Sequence, residues 1–278
     1  MIYYIVRAYV RFVLKFFIKQ ITITGQENIP KEGAVLIAAN HPNSFFDAIV
    51  VACVLDRPVW SLARGDAFKK NWVKKILTSF YMMPIYRLSE GKEYLGENDA
   101  TFAKSIELFK ADEQVLIFSE GICTNQTHLL PLKKGTARLS QKAWSRDIDL
   151  AIFPIGITYD KFDSFGKNIN LNFGKVIKRN DFEEIGNDGF FVRDFNDKLK
   201  NTLESLITKD FKESNFLKNP LYYIGWLVNF PIYFVSQAIS RKMTKGSVFP
   251  DSVTFGIMVV LLLIYWIIIW SMIFTNCC

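Results

Sequence analysis

AVLIAANHPNSFFD, residues 34–47, is the stretch whose reading decides the fold. Its first six residues are apolar and are bounded by Gly33 and Asn40, which predicts a strand over 34–39. A helix is predicted over 44–56, after the break at Asn40, Pro42 and Asn43. A histidine, His41, therefore stands at a strand end, and a carboxylate, Asp47, stands near a helix start.

Outward from this stretch the same alternation repeats. Short apolar or alternating runs, bounded by Gly, Pro, Asn or charge, predict strands at 21–24, 59–62, 82–86, 115–118, 151–156 and 169–173. Helices are predicted over 66–80, 92–111, 133–146 and 189–216, the last with apolar residues three and four apart. The region 160–188 is the most polar and reads as loop-rich. Strand–helix alternation argues for an α/β fold, with a mixed, mostly parallel sheet flanked by helices. In open sheets of this kind ligands bind beyond the carboxyl ends of the strands.

Those strand ends carry the candidate chemistry. A histidine takes a proton from a hydroxyl, and a nearby aspartate fixes its tautomer and stabilises the imidazolium. The pair His41 and Asp47 fits that role, and it equally fits a structural hydrogen bond at a helix start. No G-x-S-x-G nucleophile elbow occurs, so a dyad without a serine suits direct attack by a substrate hydroxyl. Arg87, leaving the run Met83-Pro84-Ile85-Tyr86, offers a bidentate fork to a phosphate. Ser119, Glu120 and Gly121 follow the run 115–118, placing a carboxylate beside a permissive backbone. Lys133, Lys134 and Gly135 at a helix start suit an anion or plain solvation. Pro154 inside the run 151–156 marks that strand as an edge or an irregular ending.

The ends of the chain point to a membrane. Residues 1–19, MIYYIVRAYVRFVLKFFIK, place Arg7, Arg11, Lys15 and Lys19 four apart among apolar and aromatic residues. That pattern predicts a helix lying in the membrane interface, its basic stripe toward lipid phosphates. Residues 253–275 carry no charge and would run roughly 34 Å as a helix, enough to span a hydrocarbon core. Arg241, Lys242 and Lys245 precede that span, which sets the main domain on the cytoplasmic side. The apolar stretch 220–240 contains Pro231, Asn229 and Gln237 and reads as a kinked interfacial or domain-packed helix. The chain thus divides into an amphipathic interface helix (1–19), an α/β domain (20–219) and a C-terminal membrane region (220–278).

Composition narrows the partners. Half of the 278 residues are hydrophobic, and the excess lies at the two ends, so the net charge of +7 suits an anionic membrane or a phosphorylated substrate better than nucleic acid. Cys53, Cys123, Cys277 and Cys278 form neither a disulfide framework nor a zinc pattern. With only His41 and His128 present, a His-rich metal site is excluded, and imidazole chemistry must use one of the two.

Four ordered blocks, Asn40–Asp47, Met83–Arg87, Phe118–Gly121 and Phe153–Gly156, together resemble the glycerolipid acyltransferases, which include glycerol-3-phosphate and 1-acylglycerol-3-phosphate acyltransferases. The resemblance covers about residues 20–220. It implies His41 as general base and Asp47 as its orienting partner. It implies Arg87, Glu120 and Gly121, with their neighbours Ser119 and Lys133, around a phosphorylated or lysolipid acceptor. It implies an acyl-CoA or acyl-carrier-protein donor, and no metal or other cofactor. Five residues separate His41 from Asp47 where the family usually has four. Ser119 stands where the family usually has proline, and Ile122-Cys123 where it has Thr-Arg, so one expected phosphate contact is missing. The longer first gap and the run Leu130-Pro131-Leu132-Lys133 lean the expected acceptor toward glycerol-3-phosphate, with 1-acylglycerol-3-phosphate or a hydroxyacyl amino-acid lipid as alternatives. Two competing readings are a thioesterase using Cys123 and His128, and a non-catalytic lipid-binding protein.

Overall fold

The computed structural model describes residues 2–87, 96–186, 188–211 and 220–276. Seven strands form one sheet: β1 Ile18–Thr24, β2 Ala34–Ala39, β3 Val59–Arg64, β4 Met82–Ile85, β5 Gln114–Phe118, β6 Leu150–Tyr159 and β7 Lys167–Phe173. Their order is β1-β7-β6-β2-β5-β3-β4, and only the β6–β7 pair is antiparallel. The sheet is mixed and mostly parallel, as the strand–helix alternation predicts. Among the described residues eight helices flank it: α1 Ile2–Phe17, α2 Phe45–Val54, α3 Asn71–Ser79, α4 Glu97–Lys110, α5 Lys134–Trp144, α6 Asp188–Leu206, α7 Pro220–Met243 and α8 Pro250–Asn276. The start of the helix predicted over 92–111 and the end of that over 189–216 lie outside the described residues, and α6 stops at Leu206.

The sheet separates two cores, and strand alternation assigns the side chains. Phe153, Ile155 and Ile157 of β6 face a layer built from α1, α2, α7 and α8, while Leu150 and Ile152 face α4, α5 and α6. β2 is buried along its whole length, because both of its faces are covered.

Two expectations are corrected. β6 is an inner strand between β7 and β2, not an edge. Pro154 is tolerated there because its carbonyl, and hence its missing N–H, faces the place where β7 has ended: Gly174 N–H donates to Pro154 O at 2.9 Å, one residue past the last paired residue of β7, Phe173. The basic stripe of α1 is the second. Arg7 and Arg11 turn inward, not toward lipid phosphates. Arg7 Nη1 donates to Asp56 O at 2.8 Å, and Arg11 donates to the carbonyls of Cys53 and Leu55. Both cations cap the carboxyl end of α2, where unpaired carbonyls and the helix dipole favour positive charge. Ile2, Tyr4, Ile5 and Phe12 are exposed on the outward side of α1, and of its three cations Lys15 is the exposed one.

α7 is one helix with Pro231 inside it, and it packs on the domain. Gly225 leaves room for Phe16 of α1, since a Cβ there would lie 2.2 Å from the Phe16 Cβ. Tyr265 of α8 donates to Val228 O at 3.1 Å. Pro250–Met272 of α8 is, among the described residues, the one helical stretch long and apolar enough to cross a membrane.

Candidate active site

β2 and β5 are parallel neighbours with Ala39 beside Phe118, so the residues leaving them meet. His41 follows β2, and Ser119, Glu120 and Gly121 follow β5. The His41 ring stacks on Phe118, with centroids 3.8 Å apart and an interplanar angle of 8°. Asn40 locks the loop to β6 by both ends of its amide: Nδ2 donates to Ile157 O at 2.9 Å, and Oδ1 accepts from Ile157 N at 2.7 Å.

Asp47 lies in the first turn of α2 and is fully buried. Its Oδ2 bonds His41 Nδ1 at 2.9 Å and accepts from Asn43 N–H at 2.8 Å. Its Oδ1 accepts from the Tyr159 hydroxyl at 2.7 Å. Bonding at Nδ1 holds the ring so that Nε2 is the nitrogen available to a substrate proton. The fifth intervening residue does not separate the pair. Ser44 turns the chain with φ 54°, a left-handed conformation rare outside glycine, and its N–H donates to Cys123 Sγ at 2.8 Å. That turn lets α2 start late and still deliver Asp47 to the ring.

Glu120 does not take the place expected of it at the acceptor. It is buried, and both of its oxygens accept backbone N–H bonds, from His41 at 2.8 Å and from Leu130 at 2.7 Å. Its carboxylate ties the β2 and β5 loops together. Burial raises its pKa above the usual carboxylate value, and the two N–H bonds oppose that rise. Ser119 is also occupied: Thr136 Oγ1 donates to its hydroxyl at 3.0 Å, and Lys133 N donates to its carbonyl at 2.8 Å. Gly121 has φ 68°, and a Cβ on it would press to 2.9 Å on the Lys133 stem, so both the turn and the lysine's path require glycine. Arg87 is aimed by its neighbour, because Asn98 clamps the Tyr86 peptide by accepting from N and donating to O, each at 2.8 Å.

His41, Arg87, Gly121 and Lys133 share one cleft of about 1610 Å³, which Ser119 also borders. Sites for drug-sized ligands hold about 300–1,000 Å³, so this one has room for more than a headgroup. One arm runs along α2 between α1 and β3, walled by Val6, Val10, Ala48, Ile49, Val59 and Leu62. The other rim is basic, with Arg64, Arg87, Lys133, Arg138 and Lys142. Among the described residues no cluster of His, Cys, Asp and Glu is arranged to hold a metal ion.

Cys123 borders the cleft as a hydrogen-bond acceptor, and burial with the nearby Asp47 charge pushes its thiol up to about 12. A thiol so held is no nucleophile at neutral pH, and His128 is exposed on a loop, so the thioesterase pairing has no support in the geometry. Tyr159, Asn43, Lys167 and Asp251 are members of the site's buried network that sequence reading passes over. Burial and the Asp47 carboxylate hold the Tyr159 hydroxyl well above the usual phenol value, so it stays a donor. Lys167, a charge at the head of a strand, is the one sequence signal among them.

The acyltransferase family model matches residues 20–158. A 1-acyl-sn-glycerol-3-phosphate acyltransferase of Borreliella burgdorferi is 26% identical over 155 residues, 56% of this chain and 57% of that protein. A lyso-glycine lipid O-acyltransferase of Bacteroides thetaiotaomicron is 26% identical over 114 residues, 41% of this chain and 39% of that protein. The chain thus spans little more than half of the first relative's length and less of the second. The crystal structure of the 1-acyl-sn-glycerophosphate acyltransferase PlsC from Thermotoga maritima shares the fold, with a TM-score of 0.54 and 15% identity over 76% of this chain and 81% of that one. The matched model covers half of the chain, and the chain belongs to the acyltransferase family.

Proposed function

We propose that the protein is a membrane-bound O-acyltransferase that moves a fatty acyl chain from a thioester donor to the free hydroxyl of a lysophospholipid of the 1-acylglycerol-3-phosphate type. The observation that carries this is the His41–Asp47 pair, 2.9 Å apart, opening onto a cleft with an apolar arm and a basic rim. The acyl chain of the donor lies in the arm along α2. Its carrier, acyl-CoA or acyl-carrier protein, reaches the rim at Lys133 and Arg138. The acceptor phosphate meets Arg87.

The hydroxyl oxygen attacks the thioester carbonyl while His41 Nε2 takes its proton, and Asp47 stabilises the imidazolium. The tetrahedral intermediate collapses, the C–S bond breaks, and the imidazolium returns the proton to the leaving thiolate. Glycerol-3-phosphate, the acceptor toward which the block spacing leans, is the second reading. The relatives' names favour a lysolipid instead, and the apolar outer sides of α1, α7 and α8 would bring a lipid acceptor to the cleft from the bilayer. The basic cluster Arg241, Lys242 and Lys245 before α8 supports a cytoplasmic side for the domain.

The test gives purified protein in bilayers a labelled acyl thioester and a panel of lysophosphatidate, glycerol-3-phosphate, lysophosphatidylcholine and lyso-glycine lipid. Transfer fastest to lysophosphatidate, with His41→Ala slowed at least a thousandfold, is the expected result. Thioester loss independent of any acceptor, or full transfer by His41→Ala, would overturn the reading.

A further inference from the structure

Behind the dyad lies a buried ion pair that the acyl-transfer chemistry does not use. Lys167, the first residue of β7, is fully buried and pairs with Asp251 in the first turn of α8. Lys167 Nζ also donates to Phe162 O at 3.0 Å and lies 5.1 Å from the ring centroids of both Phe17 and Phe46. Asp251 accepts from the Asn43 side-chain amide at 2.6 Å, and Ser252 donates to Asn43 O at 3.1 Å. The N–H of that same Asn43 donates to Asp47 Oδ2, the oxygen that also holds His41 Nδ1. A continuous chain of buried polar contacts therefore runs Lys167, Asp251, Asn43, Asp47, His41.

Stability alone does not account for this pair. Burying two charges costs about what their attraction returns, and well-packed apolar replacements of such pairs are often neutral or stabilising. A carboxylate in the first turn of a helix is also favoured by its own helix dipole, without a buried lysine. What the pair does achieve is direction. The ammonium fixes which way the Asp251 carboxylate points, and the carboxylate fixes the side chain of the residue whose backbone holds Asp47. We infer that Lys167 and Asp251 are positioning residues for the His41–Asp47 dyad, which makes the first turn of the membrane-crossing helix a structural part of the catalytic centre. The inference rests on the acyl-transfer reading above.

Four variants of the full chain in bilayers test it. Lys167→Met and Asp251→Asn each strand one buried charge, and each is expected to lower kcat at least tenfold with both KM values within twofold. The pair Lys167→Met with Asp251→Asn removes both charges and keeps an acceptor for Asn43; kcat returns to within threefold of the native value. The pair Lys167→Met with Asp251→Leu also strands no charge but offers Asn43 nothing, and kcat stays at least tenfold down. A merely structural pair predicts the opposite for this last variant: native kcat per folded molecule, with any change confined to the melting temperature. That result, or losses seen in KM alone, would overturn the inference. Asn43→Ala leaves the ion pair intact and should reproduce the kcat loss, which decides the matter should the paired variants not fold.

A readout without substrate separates this inference from the parent reading. The chain has two histidines, so the ring Nδ1–H resonance of His41 can be followed by NMR. It should shift in the Met/Leu pair and stay in place in the Met/Asn pair. An unmoved resonance in the Met/Leu pair sinks the inference, whereas absence of acyl transfer by the native protein sinks only the parent reading.

Discussion

At the scale of single residues, Asp47 collects three donors, from His41, Asn43 and Tyr159. Only the first is visible in the sequence, as a short spacing. Tyr159 lies 112 positions away and arrives because β6 runs on past its expected end at residue 156. Tyr159→Phe removes one donor without changing shape. It should lower kcat about tenfold and leave KM unchanged, with a stability loss of about 1 kcal/mol by thermal melting, the ordinary worth of one hydrogen bond. Cys123 gives a second prediction. With its thiol pushed up to about 12, almost none is thiolate at pH 8, so peptide mapping should find it alkylated far more slowly in the folded protein than in the unfolded chain. Glu120 gives a third, with a pH sign. Its pKa is raised in the fold, so its protonation contributes stability below the ordinary carboxylate value, about 4.3, and that contribution is lost as pH rises through the higher folded value. Glu120→Gln should therefore flatten the stability–pH profile just above pH 4 while lowering stability at neutral pH, because an N–H of His41 or Leu130 loses its acceptor. A profile parallel to the native one would count against this assignment.

At the scale of elements, α2 carries the dyad at one end and is capped at the other by two arginines from α1. The four-residue spacing of Arg7 and Arg11 is legible in the sequence, and it does put both on one side of a helix. Which side is not legible, because a basic stripe suits lipid phosphates and helix carbonyls alike. Packing decides it: Val13, Leu14, Phe16 and Phe17 enter the core, and the cations beside them are carried against the end of α2. Arg7→Met with Arg11→Met should lower the melting temperature, with a cost of roughly 1–2 kcal/mol on the helix-terminus scale, and should do so equally in detergent and in anionic bilayers. A loss of bilayer binding without loss of stability would restore the phosphate-facing stripe.

At the scale of the whole molecule, α1 is no detachable anchor. Fully burying a Val, Leu or Phe side chain stabilises by about 1.5–3 kcal/mol, so the four core residues of α1 together supply roughly 6–12 kcal/mol, comparable with the stability of an entire domain. Deleting residues 1–17 should leave chain that does not fold or stay in solution, rather than a folded domain with weakened membrane coupling. A truncated protein with a native circular dichroism melt would contradict this.

The sequence by itself determined the alternation of strands and helices, the central all-apolar strand at 34–39, the four blocks at strand ends, and the apolar segment that became α8. These are local: periodicity, punctuation and short spacings encode them within a few residues. Only the tertiary structure decided that β6 is internal, that Arg7 and Arg11 face α2, that Glu120 braces His41 rather than a substrate, and that Lys167 and Asp251 stand behind the dyad. Each of those depends on which distant segment supplies a donor, an acceptor or a wall. A one-dimensional pattern carries hydrophobicity and charge, but the partner that satisfies a buried polar group is chosen by packing.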